Sequence, residues 1–157
     1  MRRPLGGMVV ILLVMGCGSG SGDFTLSNAT VDASHACASG SNNSAYALHA
    51  SVASHNGRSS SVTIKAVSAV MTLSAVHGGW LQQVGYRYDA EKVAFTPNRV
   101  GAGSSATIEL TVPSACTNQS KAGGPVSYGE YSVALAVTTS AGTFKIGSRN
   151  KHRIIAA

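Results

Sequence analysis

Ser105-Ala106-Thr107-Ile108-Glu109-Leu110-Thr111-Val112-Pro113 decides the fold of this chain. Ala106, Ile108, Leu110 and Val112 alternate with Thr107, Glu109 and Thr111. A period of two puts the apolar set on one face and the polar set on the other, which is a half-buried strand. Pro113 is expected to end it. Working outward, Tyr131, Val133, Leu135 and Val137 repeat the pattern, and Thr143 to Gly147 returns across Thr139-Ser140-Ala141-Gly142 as a hairpin. Upstream, Tyr46, Leu48, Ala50 and Val52 alternate with Ala47, His49, Ser51 and Ala53. Phe24 to Val31 gives a first strand, with apolar residues at 24, 26, 29 and 31. Val62, Ile64 and Ala66 begin another that runs on through KAVSAVMTLSAV to Val76, where Val and Thr favour strand over helix. Trp80 to Tyr88 is expected as a strand with Trp80, Val84, Tyr86 and Tyr88 on one face, and Lys92 to Thr96 as a short one stopping at Pro97.

Many short strands separated by Ser-, Asn- and Gly-rich turns predict an all-β antiparallel sandwich of about seven to eight strands. The segments Gly129-Glu130-Tyr131-Ser132-Val133-Ala134-Leu135 and Gly103-Ser104-Ser105-Ala106-Thr107-Ile108-Glu109-Leu110 resemble neighbouring late strands of immunoglobulin-like and fibronectin type III-like domains. That resemblance implies an immunoglobulin-like order and a binding or structural role.

The chain has 157 residues, 44% hydrophobic but only 6% aromatic, so its core must be built from small aliphatics. A length of this order fits one domain and excludes a multidomain enzyme. The N-terminus reads MRRPLGGMVVILLVMGC. Two arginines and a short apolar run, Met8 to Met15, form a secretory leader, because a spanning helix needs about twenty apolar residues. Val14-Met15-Gly16-Cys17 resembles a bacterial lipobox. The resemblance implies cleavage before Cys17, lipidation of Cys17, and a mature protein held to a membrane by its acyl chains. An Asp directly after the lipidated cysteine goes with inner-membrane retention in Gram-negative lipoproteins. Gly18 stands there, which implies the outer membrane for a Gram-negative source and the cell membrane otherwise. Expected organisation is therefore leader 1–16, lipidated Cys17 with a Gly/Ser tether over 17–23, sandwich 24–148, and a basic tail 149–157.

Two other cysteines remain. Export predicts an oxidising compartment, so Cys37 and Cys116 are expected as one disulfide, the alternative being two free buried thiols. In a seven-strand order their loops share one end of the sandwich if the span from Trp80 to Thr96 makes one net crossing with a bulge near Asp89, the preferred reading, or if the long 61–76 run breaks in two.

No constellation points to catalysis. Of the six acids, Asp23, Asp32, Asp89, Glu91, Glu109 and Glu130, only Asp89 and Glu91 could share a strand face as hydrolysis would need, and they flank the expected bulge; no G-x-S-x-G elbow occurs. The reading is a non-enzyme without cofactor, whose partners are the membrane and a protein or glycan of the cell envelope. The +6 charge falls to about +4 once Arg2 and Arg3 leave with the leader. Nucleic acid is not expected, since no aromatics interleave the basic residues near the C-terminus. Trp80, Tyr86 and Tyr88 could form a ligand platform, although scarce aromatics belong first in the core. The alternative function is an exported copper- or zinc-binding sandwich using His35, His49, His55, His77 and His152. No ligand spacing marks a site, and the thiol in His35-Ala36-Cys37 is spent if oxidised.

Overall fold

Leu48, Val52, Ile108 and Val112 from one sheet meet Met71, Leu73, Tyr131, Leu135 and Ile154 from another, all almost wholly removed from solvent. Burying one such aliphatic side chain contributes about 1.5–3 kcal/mol. The computed structural model describes residues 22–38, 41, 43–116 and 126–156. Its strands are β1 Phe24–Val31, β2 Ser34–Cys37, β3 Ala45–Asn56, β4 Val62–His77, β5 Arg87–Ala90 and β6 Ala94–Thr96. They continue with β7 Arg99–Val100, β8 Ser105–Ala115, β9 Ser127–Thr139, β10 Gly142–Gly147 and β11 His152–Ala156. Among the described residues there is no helix, and so none long and apolar enough to cross a membrane.

The strands form a four-stranded sheet ordered β1-β3-β8-β6 and a seven-stranded sheet ordered β2-β11-β9-β4-β5, with β10 on β9 and β7 on β4. Every pairing is antiparallel except β2 with β11. This is the immunoglobulin-like arrangement. The first strand pairs in one sheet, crosses at Asp32–Ala33, and continues as β2 along the last strand of the other.

The alternation read from the sequence sets the faces of β3 and β8. Leu48, Ala50 and Val52 point inward, as do Ile108, Leu110 and Val112. Pro113 does not end β8, which runs on to Ala115. Cys116 N–H donates to Ser44 O, so alternate residues of β8 bond to β3 and Pro113 falls between bonding positions. Its missing N–H faces the other edge, where β6 has already stopped opposite Thr111.

The long apolar run is β4, as its Val and Thr content implies, but its register slips between Ile64 and Ala66. Ala66 therefore faces out, and Val67, Ala69, Met71 and Leu73 take the inward phase. A single extra residue in one strand exchanges its two faces from that point on.

Trp80 to Tyr88 is not one strand. Residues 78–86 turn, with Gly85 N–H donating to Leu73 O and Tyr86 O accepting from Leu73 N–H, and the strand pairing with β4 covers Arg87–Ala90. Gly85, with φ of +95°, sits in a backbone region that suits glycine and breaks the extended run. β5 and β6 run the same way along the sandwich, separated by a change of sheet at Glu91–Val93. That gives the one net crossing that places Cys37 and Cys116 at the same end.

The stretch expected as a basic tail instead supplies β11, whose His152, Ile154 and Ala156 face inward. Arg149, Lys151 and Arg153 mask this short alternation. Just before β11, Asn150 closes the outer edge of β1. Val31 N–H donates to Asn150 Oδ1 at 3.1 Å and Asn150 Nδ2 donates to Val31 O at 2.7 Å. The side-chain amide stands where a neighbouring strand's peptide would, and Arg149 N–H to Ala29 O extends the seal.

Candidate functional site

The two ends of the sandwich differ in chemistry. Phe24 pairs with Asn56, so the N-terminal segment leaves from the end carrying the β3–β4 turn. The opposite end holds the disulfide, the 78–86 loop and the start of β9.

Cys37 ends β2 and Cys116 follows β8, and the structure joins them with a Cα–Cα distance of 5.8 Å. The bond links the seven-stranded sheet to the four-stranded one. His35 lies beside it. A ring nitrogen of His35 and both sulfurs fall within 4.8 Å of one another, the one such trio found among the described residues, and both sulfurs are consumed by the disulfide.

Trp80, Tyr86 and Tyr88 gather at this end without forming a flat platform. Tyr88 faces inward, opposite Met71. Trp80 is half-buried, and its ring closes the core over Gly129. A Cβ on residue 129 would lie 2.7 Å from Trp80 Cε2 and 2.9 Å from Leu73 Cδ1. Gly129→Ala must displace the indole or the leucine, and overpacking of this kind costs about 1–3 kcal/mol. The expected readout is a lower unfolding midpoint with a red-shifted Trp80 emission; unchanged values would show that the indole does not rest on this glycine. Tyr86 is 44% exposed. With Leu81, Val84, Val76 and Val126 it gives the disulfide end an exposed apolar surface. Trp80 thus belongs to the core, and Tyr86 is the aromatic of the three most open to solvent.

The histidines are dispersed. His49 and His55 share the outer face of β3, which continues to Asn56. Six residues still separate them, roughly 20 Å along the strand. His49 pairs with Asp32 through Nδ1 at 3.0 Å, and His55 with the Ser105 hydroxyl at 3.0 Å. His77 stacks on Tyr128 with ring centroids 4.2 Å apart. No three of the five approach one another among the described residues.

A buried polar network escaped the sequence reading. His152 is fully buried on β11. Its Nδ1 lies 2.7 Å from the carbonyl of Asp32, which can only accept, so Nδ1 carries the proton. Nε2 then accepts from the Tyr46 hydroxyl at 2.8 Å. Burial pushes the His152 imidazole below its usual range, against the opposing pull of the Asp32 carbonyl and carboxylate. Burial likewise pushes the Tyr46 phenol up to about 12. His35 stacks flat on Tyr46, with centroids 3.9 Å apart and planes 3° from parallel. The network ties β3 of one sheet to β11 of the other. It holds a neutral tautomer in place and presents no nucleophile.

Glu130, on the outer face of β9, accepts from Arg153 at 2.8 Å and faces Lys151 at 3.5 Å. The Arg153 hydrogen bond is the main reason its carboxyl is held below the usual carboxylate range. Arg153 also lies over the Tyr128 ring at 5.1 Å.

Fold and sites together define an immunoglobulin-like sandwich cross-linked by one disulfide, without an assembled catalytic cluster among its described residues. No family model matches the chain, and no curated protein matches its sequence. Among solved structures it is similar to AggA, the major subunit of aggregative adherence fimbriae type I from Escherichia coli, at 8% identity with a TM-score of 0.38, over 87% of this chain and 97% of that one. It is also similar to the ASH/PapD-like domain 7 of human CEP192, at 8% identity with a TM-score of 0.32, over 98% of both chains.

Proposed function

We infer that the chain is a lipid-anchored exported module with a non-enzymatic binding or structural role at the cell envelope. The observation that carries this reading is the polarity of the sandwich. The N-terminal segment leaves from one end, while Leu81, Val84 and Tyr86 are exposed at the other. A tether over 17–23, anchored at Cys17, sets the apolar end away from the membrane, where a protein or glycan of the envelope can reach it. Cys17 lies outside the described residues. A disulfide that ties the sheets together suits an oxidising compartment. Two or more acyl chains are enough for stable anchoring, whereas a single one binds reversibly.

Cys17 acylation is tested by mass spectrometry of the chain purified from membranes. The expected product begins at Cys17 with added acyl mass, and Cys17→Ser is expected to move the protein to the soluble fraction. An unmodified Cys17 in the mature product overturns the anchor.

A further inference from the structure

On the outer face of the seven-stranded sheet, Ser68, Val70 and Thr72 of β4 lie beside Ala136, Ala134 and Ser132 of β9. Small side chains on two adjacent central strands leave an open trough of about 320 Å³. Basic side chains stand on both rims, and the β5 rim also carries the Asp89 carboxylate opposite Val70. Arg87 enters from β5, opposite Thr72, and Lys145 from β10, opposite Ala136. Arg87 shares an exposed pairing with Asp89 at 3.3 Å, and Lys145 has no carboxylate partner among the described residues. Towards the disulfide end the same face carries Lys151 and Arg153 on the single carboxylate of Glu130. The face therefore holds surplus positive charge at both its middle and its lower part.

The spacing selects the ligand. From β5 to β10 is three strand separations, roughly 14 Å, and the rows of Thr72 and Ser68 are about 13 Å apart along β4. Arg87 and Lys145 thus stand at diagonal corners, too far apart for one small anion to engage both backbone positions. A chain bearing negative charge at intervals spans them. β4 and β9 are each paired on both sides at this level, so the floor offers no strand edge for a peptide to extend. The trough holds no aromatic ring on which bases could stack.

We propose that this trough binds an acidic polysaccharide laid diagonally across β4 and β9. Its carboxylates or sulfates meet Arg87 and Lys145, its hydroxyls meet Ser68 and Thr72, and its apolar ring faces lie on Val70, Ala134 and Ala136. The preference for polysaccharide over nucleic acid also rests on the reading that the chain is exported.

The test is calorimetric titration of the full chain in detergent micelles with polygalacturonate and dextran sulfate. Neutral dextran, polyglutamate and single-stranded DNA serve as comparators. Both acidic polysaccharides, or one of them, should bind with an affinity that falls as salt rises, and dextran should not bind. Arg87→Glu combined with Lys145→Glu should weaken binding about ten-fold, equivalent to 1.4 kcal/mol. Arg58→Glu, a single charge reversal in the exposed β3–β4 turn and half the charge change of the double variant, should leave it within about two-fold. Circular dichroism confirms that the exposed variants keep the fold. Silence with both polysaccharides overturns the proposal, as does an equal loss in Arg58→Glu or tighter binding of polyglutamate or DNA. Micelle titration does not require acylation. Silence with an acylated Cys17 sinks the trough alone, and binding by a chain with unmodified Cys17 sinks the anchor alone.

Discussion

Replacing both Cys37 and Cys116 with alanine is expected to lower the unfolding free energy by about 2–5 kcal/mol. The residues are 79 apart in sequence. Cross-linking a loop of that length removes chain entropy from the unfolded state worth about 4–5 kcal/mol in the loop-closure model, before any change in native packing. Ordinary domains are stable by only 5–15 kcal/mol, so this is a large share. Both sulfurs are almost fully buried, which adds two small cavities in the variant. Denaturant unfolding of the double variant, compared with the oxidised chain, is the measurement. Equal midpoints would mean that the bond does not constrain the unfolded chain, and the account of how the two sheets are tied would fail.

His152→Ala should cost about 2–4 kcal/mol near neutral pH, from lost buried volume and from stranding the Tyr46 hydroxyl and the Asp32 carbonyl. The pH dependence gives a second readout. Because the folded imidazole titrates below its ordinary value, the unfolded state binds the proton first as pH falls. This contribution to stability is complete above about 6.5 and is lost between there and the depressed folded pKa. The limiting slope is about 1.4 kcal/mol per pH unit for one proton. Tyr46 acts on the alkaline side. Its phenol titrates near 12 when folded and near 10 when unfolded, so stability falls as pH rises from about 10 towards about 12. The Ala variant should lose the acid slope due to His152, and Tyr46→Phe the alkaline one. Parallel profiles for wild type and variants would contradict the assigned network.

The sandwich was legible because its strands are half-buried, and alternation of the kind seen from Ala106 to Val112 reports a solvated face directly. It became illegible where that alternation is interrupted. The register slip at Lys65 exchanges the faces of β4, and nothing local in KAVSAVMTLSAV marks it. β2 is a short edge strand and β11 a short strand between β2 and β9, whose inward residues Ile154 and Ala156 sit among histidine and arginine, so the end of the chain resembled a solvated tail. The disulfide followed from cysteine count and the expectation of export, and its geometry from strand parity. Trp80, Tyr86 and Tyr88 alternate by number, yet Gly85 breaks the strand that alternation implied. The Tyr46–His152 contact spans 106 residues and joins two sheets. No spacing rule within either strand could have announced it. The cationic trough is equally a product of topology, since Arg87 and Lys145 come from strands that are neighbours only through β4 and β9.

The route by which the chain enters its fold has a mechanical consequence. Tension applied at Asp23 pulls along the axis of β1, which lies lengthwise against β3. Its interstrand bonds then share the load in shear instead of parting singly. If β1 and β2 do peel away, slack grows only from Phe24 to Cys37, fourteen residues, before the covalent link to Cys116 takes the strain. The covalent link then sets a fixed stop, and β3 to β8, enclosed between Cys37 and Cys116, are shielded from extension by a pull on that end.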